Sequence, residues 1–146
     1  MTATTETIRI SEVGTVFVPV ADQDRALAFY LEKLGFEQRA DFRYGDGSRW
    51  IEVAPPGAAN AIALVPPSEG GSPGGDGTHC AFASEDIEAD HATLLARGVE
   101  VDAEVAREGR ARHLLFDAAR DMSDPVPAMF FFRDADGNRF LIVERP

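Results

Sequence analysis

The side chains with the widest chemical range in this 146-residue chain are its three histidines, His79, His91 and His113, and its one cysteine, Cys80. An imidazole titrates near neutral pH and can take or give a proton without a metal. His79 opens the stretch HCAFA, where strand alternation puts Ala81 and Ala83 on its own side. Small neighbours leave room for a ligand, so His79 has two readings. One is an acid/base or hydrogen-bonding group in a cleft; the other is a histidine bonded within the sheet wall. Cys80 follows directly, and consecutive strand side chains point to opposite faces, which favours a buried thiol over a Cys–His nucleophile. His91 falls at the polar boundary of a helix and is read as solvated.

Positive charge gathers around His113, where Arg107, Arg110, Arg112 and Arg120 stand in a chain of 14 basic and 25 acidic residues, net −11. Glu108 and Asp117 can make this an ion-paired surface. Alternatively, Arg110, Arg112 and His113 form the edge of a lid that attracts an anionic ligand, since guanidinium groups bind carboxylates in a bidentate fashion. Phe17 and Trp50, with Phe131 and Met129, are the aromatic and apolar residues that can line a small-molecule site. Asp134-x-Asp136-Gly137 superficially suggests a calcium loop, but the closing glutamate would fall at Arg145, so a hairpin turn is expected. No phosphate-binding glycine loop, H-E-x-x-H or G-x-S-x-G motif is present.

The elements that must position these residues are written twice. GTVFVPVADQDRALAFYLEKLGFE from Gly14 and GTHCAFASEDIEADHATLLARGVE from Gly77 align without a gap. In each copy an apolar run precedes an aspartate able to cap a helix (Asp22 or Asp24, then Asp86), and the helix stops at Gly35 or Gly98. Val16, Val18 and Val20 show the period of two of a half-buried strand. Strand-like pieces follow at 36–42, 50–53 and 61–65, then at 99–105, 129–133 and 139–144. The expected organisation is one domain over 1–146. Module one covers about 12–66, a flexible Gly/Pro linker 66–77, and module two about 77–145 with an insertion at 107–127, inside which 111–120 can form a helix over a cleft or a subunit interface.

V-x-D leading to F-Y-x-x-x-L-G-F (Val20, Asp22, Phe29, Tyr30, Leu34, Gly35, Phe36), H-x-A-F before Asp86-Ile87, and F-F-x-D-x-D-G-N (Phe131 to Asn138) resemble the vicinal-oxygen-chelate superfamily of glyoxalase, bleomycin-resistance and extradiol-dioxygenase proteins. The resemblance covers about residues 12–145. It implies an α+β fold of two paired βαβββ modules with sheets curled around a cleft, and a homodimer. In metal-dependent members similar to glyoxalase, four strand positions carry ligands. Here these fall on Thr15, Ala63, His79 and Leu141, of which only His79 matches. No metal or other cofactor is therefore expected, a divalent ion being disfavoured for want of donors.

The acidic surface disfavours nucleic acid and anionic membranes, and no apolar run approaches the length of a spanning helix. The start lacks a secretory pattern, and a single cysteine suits a reducing compartment, so a cytoplasmic protein is expected. The expected function is metal-independent binding of a small organic ligand by Thr15, Phe17, Trp50, Ala63, His79, Ala81 and Leu141, with Arg110, Arg112 and His113 favouring an anionic one. The alternative is a lyase, isomerase or dioxygenase that uses His79 in an unconventional metal site or as a metal-free acid/base.

Overall fold

A computed structural model describes residues 6–45, 47–107 and 127–146. Its elements run in the order β1 (Thr15–Pro19), α1 (Gln23–Glu32), β2 (Glu37–Tyr44), β3 (Ser48–Ala54), β4 (Ala61–Val65), α2 (Pro67–Gly70), β5 (Thr78–Ser84), α3 (Ile87–Ala96), β6 (Glu100–Val101), β7 (Met129–Arg133) and β8 (Arg139–Glu144). The strands form two four-stranded sheets, ordered β1-β4-β3-β2 and β5-β8-β7-β6. In each, the first strand lies parallel to the last and the others pair antiparallel. The fold is thus the expected pair of βαβββ modules.

The repeat works because the same local chemistry recurs at the same places. Asp22 accepts a hydrogen bond from the Arg25 amide at 3.0 Å and Asp86 accepts one from the Ala89 amide at 3.2 Å, each satisfying a free N–H of a helix's first turn. Past the other ends, Gly35 and Gly98 take φ values of 72° and 78°, which side-chain-bearing residues rarely adopt.

The two modules bury their inner faces in one hydrophobic cluster. Val18, Val20, Ile51, Ile62 and Leu64 come from the first sheet, Phe130, Phe132, Phe140 and Ile142 from the second, with Tyr30 of α1 and Leu94 of α3 among them. Tyr30 meets Phe140 at a centroid distance of 6.3 Å, and Phe36 meets Phe82 at 5.4 Å, both edge-on. The helix-bearing sides of the modules therefore share a core, and the opposite face of each sheet points away from it.

Polar groups lock this arrangement at the β7–β8 turn. Buried Asp134 accepts from the Tyr30 hydroxyl at 2.7 Å and the Asn138 side-chain amide at 3.0 Å through one oxygen, and from the Asp136 and Asn138 backbone amides, both at 2.9 Å, through the other. Asn138 also donates to the Pro19 carbonyl at 2.7 Å and accepts from the Gly74 amide at 2.7 Å. Asp136 accepts from the Ala21 amide and from Arg25. The D-x-D-G-N run is thus a hairpin turn whose carboxylates bind protein groups.

Two expectations are corrected. The 66–77 stretch is not a free linker: α2 lies in it, the Gly74 amide is held by Asn138, and Arg133 donates to the Gly75 carbonyl at 3.0 Å. The strand expected over 99–105 shortens to Glu100–Val101, because the Asp102 side chain takes the Phe131 amide at 2.7 Å in place of a ladder carbonyl. The helix expected at 111–120, with the rest of 108–126, lies outside the described residues.

Burial and, after it, the Asp134 carboxylate hold the Tyr30 hydroxyl well above its ordinary value. The folded state then keeps a proton that the unfolded chain releases near pH 10, so this stabilisation is complete below about pH 10 and is lost as pH rises toward the folded value. Tyr30→Phe is expected to reduce unfolding free energy by about 1–3 kcal/mol at neutral pH. It should also flatten the alkaline decline. Urea unfolding from pH 7 to 11 measures both, and a parallel decline in the two proteins would contradict the assignment.

Candidate functional site

The outer face of the first sheet carries its largest exposed aromatic group. Register fixes its membership: Phe17 and Glu52 both pair with Ala63, Trp50 pairs with Phe42, and Ser48 pairs with Tyr44, so these side chains stand on one side. The intervening Val16, Val18, Ile51, Val53, Ile62 and Leu64 face the core. Phe17 packs edge-on against Trp50 at 5.3 Å, and Tyr44 does so from the other side at 6.2 Å. Phe17 and Phe42 remain 44% and 54% exposed, whereas Ala63 is fully buried and forms the floor. At that floor the Thr15 hydroxyl donates to Glu52 at 3.2 Å. The Tyr44 hydroxyl is hydrogen-bonded to Glu69 of α2. The result is a shallow aromatic surface with two carboxylates beside it, Glu52 at the floor and Glu69 at Tyr44.

The second sheet's outer face is different. Ala81 pairs with Leu141 and Phe131 pairs with Leu141 on the other side, placing the three together. The Arg139 guanidinium lies 4.6 Å above the Phe131 ring, and its Nε donates to the Thr78 hydroxyl at 3.1 Å.

Thr15, Phe17, Trp50 and Ala63 therefore share a face of the first sheet, and Ala81 and Leu141 share a face of the second, rather than all six meeting in one place. His79 does not share the Ala81 face. Thr78 pairs with Arg139 and Ala81 with Leu141, so two residues, His79 and Cys80, oppose the single Phe140. This bulge breaks the alternation that would align His79 with Ala81. The His79 ring sits 5.7 Å from the ring of Phe140, a core residue, and its Nε2 is buried with no hydrogen-bond partner. Cys80 packs on the same core, where burial pushes its thiol up to about 11. His91 is likewise corrected from solvated to buried. Its Nε2 lies 2.7 Å from the Asp102 carbonyl and its ring packs edge-on to Phe130 at 4.9 Å. Arg110, Arg112 and His113 lie outside the described residues.

Sequence reasoning missed Glu52, Phe42 and Tyr44. The available signal was Trp50-x-Glu52, a spacing of two that sets a carboxylate beside an aromatic on one strand face. Among the described residues no three His, Cys, Asp or Glu side chains gather to hold a metal ion. The family's ligand positions do not fit one either. Thr15 and Ala63 lie on one sheet, Leu141 is apolar, and His79 is turned into the core.

The family model for the Glyoxalase/Bleomycin resistance protein/Dioxygenase superfamily matches residues 12–142. The protein YetH of Bacillus subtilis (strain 168) is 30% identical over 135 residues, covering 92% of this chain and 99% of that protein. Among solved structures, TnmS3, an antibiotic-binding protein from Streptomyces sp. CB03234, is 32% identical with a TM-score of 0.71, covering 96% of this chain and all of that one. A superfamily member from Sphaerobacter thermophilus DSM 20745 is also 32% identical, with a TM-score of 0.77 over 94% of this chain and all of that one. No helix among the described residues is long and apolar enough to cross a membrane.

An imidazole nitrogen buried without a partner contributes nothing that an apolar ring of similar shape would lose. His79→Phe should therefore keep the fold's stability to within about 1 kcal/mol, or raise it, in urea unfolding at neutral pH. A loss of more than about 2 kcal/mol would show that the imidazole has a partner in the folded state.

Proposed function

Because the chain belongs to the glyoxalase/bleomycin resistance protein/dioxygenase superfamily, we propose that it binds a small organic molecule on the outer face of its first sheet, without a resident metal. The observation that carries this reading is the row of Phe17, Trp50, Tyr44 and Phe42 on one face, with Phe17 and Phe42 still exposed in the folded chain. Edge-packed rings over a small alanine floor offer a flat, apolar surface suited to a planar aromatic body, and rigid aromatic side chains lose little entropy on binding. Glu52 supplies the polar contact. An ionised carboxylate only accepts hydrogen bonds, so it favours a ligand with an N–H or O–H donor. The similarity to an antibiotic-binding protein over nearly the whole chain supports binding as the activity.

The acid/base alternative on His79 is weakened by the bulge, since a general base must reach its proton at hydrogen-bond distance and one of the two ring nitrogens of half-buried His79, Nε2, is shut away from solvent. We take the working unit to be a homodimer in which a second copy covers part of this face. Ile8 and Ile10, more than four-fifths exposed just before β1, support that assembly.

Trp50 is the only tryptophan, so its emission reports directly on this face. Titration with 1-naphthylmethylamine should change that emission and bind more tightly than 1-naphthoate. Trp50→Ala, followed by calorimetry, should weaken binding about tenfold or more, or 1.4 kcal/mol. Glu52→Gln should erase the preference for the amine. Equal affinity for amine and acid in the native protein, or unchanged Trp50 emission at saturation, would remove this face as the site.

Metal independence has its own check. Elemental analysis of untagged protein prepared without chelators should find no stoichiometric divalent metal. One metal per chain, lost on His79→Ala, would restore the metal-dependent reading.

A further inference from the structure

A cavity of about 220 Å³ opens between the C-terminal ends of α1 and α3, and none of its lining residues belongs to the aromatic face. Both modules build it. Phe36 comes from the first, and Phe82, Phe132 and Leu94 from the second. Phe82 packs edge-on with Phe36 at 5.4 Å and stacks with Phe132 at 6.2 Å. The floor is thus the edge of the shared core. At the mouth, Lys33 and Arg97 cross between the helices: Lys33 Nζ donates to the Arg97 carbonyl at 2.9 Å, and an Arg97 guanidinium nitrogen donates to the Lys33 carbonyl at 2.8 Å.

Each crossing uses a fraction of the donors available. An ammonium has three N–H groups and a guanidinium five. Neither cation has a carboxylate partner among the described residues. The acid that lines the cavity, Asp90, accepts from the Ser84 hydroxyl at 2.6 Å instead. Counting Asp90, the lining carries two cations and one carboxylate, which on a chain of net charge −11 is still a local reversal of sign. A neutral apolar guest would leave their remaining donors to water, and a cationic guest would be repelled. A compact body with one carboxylate satisfies both floor and rim. The volume lies below the roughly 300–1,000 Å³ of drug-sized sites, so the guest is small.

We propose that this crevice is a binding site for a small apolar monocarboxylate, aromatic or short-chain aliphatic. Its body rests on Phe36, Phe82 and Leu94, and its carboxylate is held by Lys33 and Arg97. Because the walls belong to different modules, an occupant bridges them. The site is separate from the aromatic face of the first sheet, and its chemistry has the opposite sign.

The test uses the full chain and two probes of one shape, benzoate and benzamide, followed by isothermal calorimetry. Benzoate is expected to bind at least tenfold more tightly than benzamide. Replacing both rim cations, Lys33→Gln with Arg97→Gln, should abolish that difference. Those changes also remove the crossing between the helices, so a second variant leaves it intact: Thr93→Trp, at an exposed position of α3 lining the crevice, should block benzoate by filling the space. Trp50→Ala should leave benzoate binding unchanged, which separates this site from the aromatic face. Equal binding of the two probes, unaltered benzoate affinity in Thr93→Trp, or its loss in Trp50→Ala would each overturn the proposal.

Discussion

A carboxylate removed from water must have its oxygens filled by donors, or burying it costs several kcal/mol. Asp134 meets that requirement with four hydrogen bonds, two to each oxygen. Their sources tie the molecule together. Two come from its own turn, one from the Asn138 side chain that also grips the Pro19 carbonyl, and one from Tyr30 in the other module. Tyr30 in turn stands between Phe36 and Phe140, so the position of one hydroxyl couples hydrogen bonding to the packing of both sheets. The first module has no counterpart, since its β3–β4 connection reads Pro55-Pro56-Gly57. The chain's pseudo-symmetry is broken at the point that fastens its halves.

With the inner faces committed to a common core, chemistry is left to the outer faces and to the seam. The first sheet's outer face is aromatic with a carboxylate, and the second carries an arginine stacked on phenylalanine. The seam has an apolar floor under two cations. The two sheet faces follow from one parity rule, because strand alternation separates core residues from surface residues at every second position, while the seam's cations come from the helix ends.

That rule also explains what the sequence could reveal. Val16, Val18 and Val20, the capping aspartates and the two terminal glycines repeat at one offset, and each acts locally, so the paired modules are legible from spacing alone. Thr15, Phe17, Trp50 and Ala63 could be grouped because β1, β3 and β4 keep regular alternation over those residues. His79 could not be placed, since one additional residue between Thr78 and Ala81 reverses the face of whatever precedes it and leaves no mark in composition. The place of Glu52 on the aromatic face is legible only through register, because it depends on pairing with Ala63 across the ladder. His91 shows the limit of helical periodicity: its burial depends on the Asp102 carbonyl and Phe130, contacts that helical spacing does not disclose.

The fastening at Asp134 also sets an order of events during synthesis. Tyr30 and its partner are 104 residues apart in sequence. At roughly 5–20 residues per second, the helix bearing Tyr30 is made about 5–20 s before the carboxylate that will receive its hydroxyl. Over that interval the inner face of the first module has no second sheet against it, and Phe36 and Tyr30 are apolar surface open to other nascent chains. A ribosome translating this message therefore exposes an adhesive half-core until the last strands emerge.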